Sequence, residues 1–174
     1  MTTHIEKAKP IKLLILDVDG VLTNGTITFG PSGHEVKDFH AHDGLGIKLF
    51  QQSGLTIAII SGHSSTAAAL RFSELNIEHT YLGHNDKLPA YEELKQKLNL
   101  KDNEIAYMGD DLPDLPLLRR AGLAITVPQA PNVIKQHCDY VTTVLGGHGA
   151  VREVCEHILN AQGRFETVLQ YYLT

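Results

Sequence analysis

The chain has 174 residues, 43% of them hydrophobic, and 20 acidic against 15 basic residues leave it at −5. That is the size and make-up of one globular domain spanning 1–174, and without a long basic run it excludes nucleic acid as a principal partner. The longest apolar run, 55–60, is far below the ~20 residues of a membrane span, the N-terminus (Met-Thr-Thr-His-Ile-Glu-Lys) lacks the apolar core of a signal peptide, and Cys138 and Cys155 show no CxxC spacing, so no membrane partner and a reducing cytoplasm are expected.

In chain order, strand-like apolar runs fall at 12–16, 56–60, 80–82, 104–108, 124–127 and 140–144. Helical patterns lie between them at 44–52, 65–75, 88–98, 112–121 and 131–137, with a last one at 150–162. This alternation predicts βαβ units, hence an α/β fold with a doubly wound parallel sheet of Rossmann type. One segment interrupts it: residues 24–40 read as two short strands around Pro31-Ser-Gly33, a β-hairpin that should overhang whatever binds beside the first strand. The tail, 163–174, carries Phe165, Leu169, Tyr171, Tyr172 and Leu173, too apolar to stay exposed; docking on its own subunit and packing on a neighbour are both open.

The first strand runs straight into Asp17-Val-Asp19-Gly20-Val-Leu-Thr23. Carboxylates at the C-terminal end of a buried parallel strand stand where such sheets bind ligands. Two residues apart, they would point to opposite faces of a regular strand, and Gly20 frees the chain to bring both to one side. Three further polar clusters close later strands: Ser61-Gly62, Asn85-Asp86-Lys87, and Gly109-Asp110-Asp111-Leu-Pro-Asp114. Each has a plain explanation, Ser61 as a helix cap, Lys87 as a solvated lysine and the acids as a capping turn. Together they set acids, a hydroxyl and a cation along one sheet edge, parts suited to phosphoryl transfer with a hard, oxygen-seeking ion such as magnesium.

In this order, the four clusters resemble the motifs of the haloacid dehalogenase superfamily, over residues 13–114. The resemblance implies that Asp17 is the nucleophile forming an aspartyl-phosphate and that Asp19 is the acid and base. It implies that Ser61, Gly62 and Lys87 bind the phosphoryl group. Magnesium would be held by Asp17, the backbone carbonyl of Asp19 and Asp110, with Asp111 and Asp114 in support. Only 41 residues separate Asp19 from Ser61, so there is no room for a large cap domain.

A capless member resembles the phosphatases of acidic-sugar phosphates, in particular the branch that hydrolyses 3-deoxy-D-manno-octulosonate 8-phosphate for lipopolysaccharide synthesis. The hairpin, Asp43-Gly44-Leu-Gly46-Ile-Lys48, Arg71 and Gly146-Gly147-His148-Gly149-Ala150-Val-Arg152-Glu153 extend that likeness nearly end to end. It implies a homotetramer in which a neighbour's tail replaces the cap. Arg71, Asp43 and His63 are then the substrate-binding candidates. His63 and His148 stand where that branch carries arginine, which keeps nonulosonate 9-phosphates as alternative substrates. His40-Ala-His42 beside Asp43 is a weak transition-metal pattern, better read as ordinary loop histidines. A signalling receiver also combines acids, a hydroxyl and a lysine, but its lysine follows the last strand, whereas Lys87 precedes Asp110. A non-catalytic tetramerisation domain would have no need of the complete set of catalytic residues.

Overall fold

The computed structural model describes residues 2–173. In chain order the elements are α1 (His4–Ala8), β1 (Leu13–Leu16), β2 (Thr28–Phe29), β3 (Glu35–Val36), α2 (Ala41–Gln52), β4 (Thr56–Ser61), α3 (Thr66–Glu74), β5 (His79–Leu82) and α4 (Leu88–Lys97). There follow β6 (Ile105–Met108), a 3-10 turn (Leu112–Asp114), α5 (Leu115–Leu118), β7 (Leu123–Thr126), α6 (Asn132–Lys135), β8 (Tyr140–Val141), α7 (Ala150–Ala161) and α8 (Phe165–Leu173).

Six parallel strands form one sheet in the order β5-β4-β1-β6-β7-β8, and β2 and β3 pair antiparallel outside it. Every residue of β1 is buried, as a central strand covered by helices on both faces requires. The crossovers β1–α2–β4 and β4–α3–β5 build outward on one side of β1. The chain then returns through α4 to β6 on the other side and builds outward again through α5 and β7. Right-handed connections therefore lay α2 and α3 on one face of the sheet and α4 and α5 on the other. The strand order reverses beside β1, which opens a crevice between the carboxyl ends of β1 and β6.

The two faces close over one continuous apolar core containing Leu14, Leu16, Phe50, Ile59, Phe72, Tyr91, Tyr107, Leu117 and Ile158. Helix α7 packs along α2, and Gly46 lies tight against it. A Cβ there would stand 2.8 Å from Arg152 Cα, so a larger residue would force the two helices apart.

The elements follow the sequence pattern with local departures. The last strand stops at Val141 rather than 144, because Glu153 takes the Thr143 and Val144 amides at 2.8 and 2.9 Å and draws them out of the sheet. The expected helix 112–121 divides into the 3-10 turn and α5, since Pro113 and Pro116 cannot donate backbone hydrogen bonds. Two short helices were not expected, α1 and α8. The tail is helical, with Phe165 and Val168 against the core while Tyr171, Tyr172 and Leu173 stay exposed. Between Asp19 and Ser61 the described residues hold only the hairpin, α2 and the sheet strand β4, so that segment contributes no cap domain.

Candidate active site

Asp17 is the first residue beyond β1, and its amide still donates to Met108 O at 2.9 Å, which fixes it at the rim of the sheet. The chain then turns tightly, the Val18 carbonyl accepting from Leu22 at 2.9 Å and Thr23 at 3.1 Å. Gly20 makes the turn with φ +89°, and its bare Cα face lies directly on the Asp110 carboxylate. As the sequence suggested, Asp17 and Asp19 thereby line one cleft, of about 300 Å³, together with Gly25, Ser61, Gly62, Lys87, Asp110, Asp111 and Asp114.

At its floor Lys87 Nζ donates to Asp17 Oδ1 at 2.7 Å and Asp114 Oδ1 at 2.6 Å. Tyr107, fully buried on β6, donates its hydroxyl to the same Asp114 oxygen at 2.5 Å. Asp114 Oδ2 accepts the Asp110 and Asp111 amides at 2.9 and 3.1 Å, so Asp114 braces the whole loop. Asp111 is exposed and caps the 3-10 turn through the Leu112 amide at 2.8 Å, which shapes the approach to Asp114.

Ser61 ends β4, buried, with its Oγ accepting the His63 amide at 3.3 Å. It is not a helix cap: Ser65 caps α3, four residues later. The plain reading of Ser61 as a helix cap is corrected accordingly, and its hydroxyl belongs to the cleft wall.

Charge in this cleft is out of balance. Burial first, then the Asp114 charge, lifts the Asp17 carboxyl to about 7, against the opposing pull of Lys87. Burial, followed by Asp17 and Asp114, lifts Asp110 to about 7 as well. Burial alone would lower the Lys87 ammonium, but Asp17 and Asp114 outweigh it and hold it charged. Burial and the same two acids push the Tyr107 phenol well above its ordinary range.

Carboxylate oxygens of Asp17, Asp110 and Asp114 lie within 4.8 Å of one another. With no histidine or cysteine among them and one ammonium to offset three acids, these donors fit a hard divalent cation such as magnesium. Both Asp114 oxygens are engaged by Lys87, Tyr107 and amides, which leaves Asp17 and Asp110 as the side chains to hold the ion and Asp114 in support.

The remaining candidates divide. His63 lines the cleft mouth, its Nε2 3.3 Å from Glu35 on β3. Arg71 lies outside the cleft, paired with Glu74 at 3.3 Å on α3 and resting over Gly44. Asp43 is also outside it, buried on α2, where its Oδ1 accepts the Arg152 amide at 2.8 Å in the first turn of α7. Gly149, at the cap position of α7, has no side chain to do this, so Asp43 serves as the cap from a neighbouring helix. His40 caps α2 through the His42 amide at 3.3 Å, and His42 is itself in the first turn of that helix.

Sequence reasoning missed Tyr107, Glu35 and Lys37. Lys37 Nζ contacts Asp19 Oδ1 directly and Glu35 Oε1 at 3.0 Å. Burial alone would lower this ammonium too, and its bonds to Asp19 and Glu35 reverse that. Extended backbone puts residues 35 and 37 on one face of the hairpin that was expected to overhang the site, but nothing in the sequence says which face turns inward.

A Rossmann-type sheet whose first strand ends in paired acids, facing a lysine and a second acidic loop, defines a hydrolase of the haloacid dehalogenase type. Residues 82–153 match the haloacid dehalogenase-like hydrolase family, and relatives extend the match over nearly all of the chain, which belongs to that family. It is 43% identical to 3-deoxy-D-manno-octulosonate 8-phosphate phosphatase KdsC of Salmonella typhi, over 95% of this chain and 89% of the relative. With KdsC of Escherichia coli K12 it shares 44% identity over 93% and 86%. The crystal structure of 3-deoxy-D-manno-octulosonate 8-phosphate phosphatase from Moraxella catarrhalis, in complex with magnesium, phosphate and KDO, superposes with a TM-score of 0.95 at 46% identity, covering 97% of each chain.

Proposed function

We infer that this chain is a magnesium-dependent phosphomonoesterase that hydrolyses 3-deoxy-D-manno-octulosonate 8-phosphate to the free sugar and phosphate. The observation that carries the reading is Lys87 held between Asp17 and Asp114 beside Asp110, in a chain 46% identical to a phosphatase crystallised with magnesium, phosphate and KDO. A larger groove, about 610 Å³, lies between α8 and the end of α2, but it contains no acid and no phosphate-binding cluster.

In this mechanism Asp17 attacks phosphorus, and the sugar alkoxide leaves with a proton from Asp19. Water then attacks the aspartyl-phosphate, giving up its proton to Asp19 and freeing Asp17. Lys87, the Ser61 hydroxyl and the Gly62 amide hold the phosphoryl oxygens as charge spreads over them. Magnesium bound by Asp17, the Asp19 carbonyl and Asp110 supplies positive charge that offsets both the acids and the phosphoryl group.

The mouth of the cleft is open, and the reading includes a homotetramer whose neighbours cover it. Ile27 and Phe29 on the hairpin, each 68% exposed, and Tyr172 and Leu173 on α8 are apolar surface that such an assembly would bury. Arg71, outside the cleft of its own chain, is the candidate to reach a substrate carboxylate across such an interface. No described helix is long and apolar enough to cross a membrane, and the two thiols are free, which accords with work in the cytoplasm on a lipopolysaccharide sugar. A nonulosonate 9-phosphate is the alternative substrate, favoured by one observation: His63, not a permanent cation, stands at the mouth.

The test is phosphate release with magnesium from 3-deoxy-D-manno-octulosonate 8-phosphate, beside 9-phospho-nonulosonates and neutral sugar phosphates. Preference for the octulosonate, abolished by Asp17→Asn, is the expected result. Turnover that survives Asp17→Asn would reject the nucleophile, and preference for a 9-phosphate would reject the substrate.

A further inference from the structure

The chemistry above needs Asp19 in one orientation, yet Asp19 sits on a turn beyond the sheet with a third of its side chain exposed. What holds it comes from the hairpin. Among the described residues, both hydrogen bonds to its carboxylate fall on Oδ1, one from Lys37 Nζ and a longer one from Thr23 Oγ1 at 3.5 Å. Glu35 grips the far side of the same ammonium at 3.0 Å through Oε1, and its Oε2 stands 3.3 Å from His63 Nε2 on the loop after Ser61.

The Lys37 side chain is only 2% exposed, directly after the two-residue strand β3, although the apolar hairpin residues Phe29 and Val36 stand in solvent. A lysine on an exposed hairpin ordinarily extends its strongly hydrated ammonium into water. Here it is turned inward and clamped between two carboxylates, one of them the proposed acid and base. A simple latch between hairpin and body would be served by the Glu35–His63 contact alone, without involving Asp19.

We propose that Lys37 is a positioning residue of the reaction: clamped by Glu35, it fixes Asp19 Oδ1 and so presents Oδ2 to the leaving alcohol and then to the attacking water. The hairpin is thereby part of the catalytic apparatus and not only surface for assembly. The proposal rests on the phosphatase reading, and its test separates the two.

The experiment is a double-mutant cycle of Lys37→Met and Asp19→Asn in the full chain with magnesium, assayed on 3-deoxy-D-manno-octulosonate 8-phosphate and on p-nitrophenyl phosphate. Acting through Asp19, Lys37→Met lowers kcat on the sugar phosphate by about 10²-fold, within the range for general acid–base catalysis, with KM nearly unchanged. Lys37→Arg restores most of that loss. Once Asp19 is Asn, Lys37→Met has less than about threefold further effect, since residues acting as a unit are not additive. Single-turnover release of nitrophenolate, which leaves without needing a proton, keeps its rate.

Additive losses, or equal losses on the two substrates in a single turnover, would overturn the proposal and leave Lys37 a structural latch. Glu35→Gln covers the case in which Lys37→Met does not fold: a smaller loss confined to the sugar phosphate supports positioning, and an unchanged kcat opposes it. Failure of Asp17→Asn to abolish turnover is a separate result and strikes the phosphatase reading itself.

Discussion

Lys87 and Asp17 stand 70 positions apart in the chain, and the Lys87 ammonium meets the Asp17 carboxylate at 2.7 Å. The sheet brings them together: β1 delivers Asp17 to the crevice, and the connection from β5 into α4 delivers Lys87 to the same carboxyl edge. The ammonium is thus oriented before any phosphate arrives, and preorganised charge is what phosphoryl transfer draws on most.

The same crowding makes the metal-free protein sensitive to pH. Asp17 and Asp110, raised to about 7 chiefly by burial and then by their acidic neighbours, ionise near 3.8 once unfolded. Between those values the folded state holds more protons than the unfolded one, so this stability is complete below 3.8 and is lost as pH rises through 7. Without divalent ions the melting temperature should therefore fall from pH 5 to pH 8. Magnesium should raise it more at pH 8 than at pH 5, where protons compete for the same oxygens. Calorimetry across that range checks both, and a flat profile would contradict the close packing of the acids.

Gly20→Ala should damage the site more than the fold. At φ +89° an L-residue is strained by about 1–2 kcal/mol, and its Cβ would overlap the Asp110 carboxylate. Displacing Asp110 by about 1 Å is expected to cost on the order of 10² in activity and to weaken magnesium binding in parallel. Steady-state kinetics against magnesium concentration, beside a thermal melt, would separate the two effects.

Asp43→Ala should do the reverse. Losing the carboxylate that caps α7 through the Arg152 amide is expected to cost about 1–2 kcal/mol of stability, with kcat and KM within about twofold. Denaturant unfolding measures the first and saturation kinetics the second. A tenfold rise in KM would instead return Asp43 to the substrate-binding residues.

Phe29→Asp places a charge on the apolar side of the hairpin, where Phe29 is 68% exposed. If that surface is shared between copies, light scattering should show the proposed tetramer dissociating, with the melting temperature of the separated chain near that of the parent at low concentration. An unchanged mass would move the interface elsewhere on the molecule.

Much of the site was legible in the chain because its parts are tied to strand ends. An apolar run closing in Asp17-Val-Asp19-Gly20, another closing in Ser61 and a third in Gly109-Asp110-Asp111 specify both a parallel sheet and what stands at its rim. Lys37 was not legible as a site residue, because a surface hairpin gives no sign of which way a lysine on it turns. Tyr107 read as one more apolar strand position, and its hydroxyl matters only because Asp114 folds back beneath it at 2.5 Å. Asp43 entered as a substrate-binding candidate through the family likeness of Asp43-Gly44-Leu-Gly46-Ile-Lys48, and no local pattern announced that its carboxylate would take an amide 109 positions away on α7.

By itself, then, the sequence determined the α/β fold, the strands that end in chemistry and the residue types at those ends, since hydrophobic periodicity and short motifs are local properties of the chain. Tertiary structure alone decided which of those groups share a cleft and which brace the scaffold. Asp17, Asp110, Asp114 and Lys87 converge, Asp43 and Arg71 do not, and Lys37 enters from outside the sheet. Electrostatic interaction acts over a few ångströms of space with no regard to separation along the chain, so the charge balance of the site existed only once the sheet had closed.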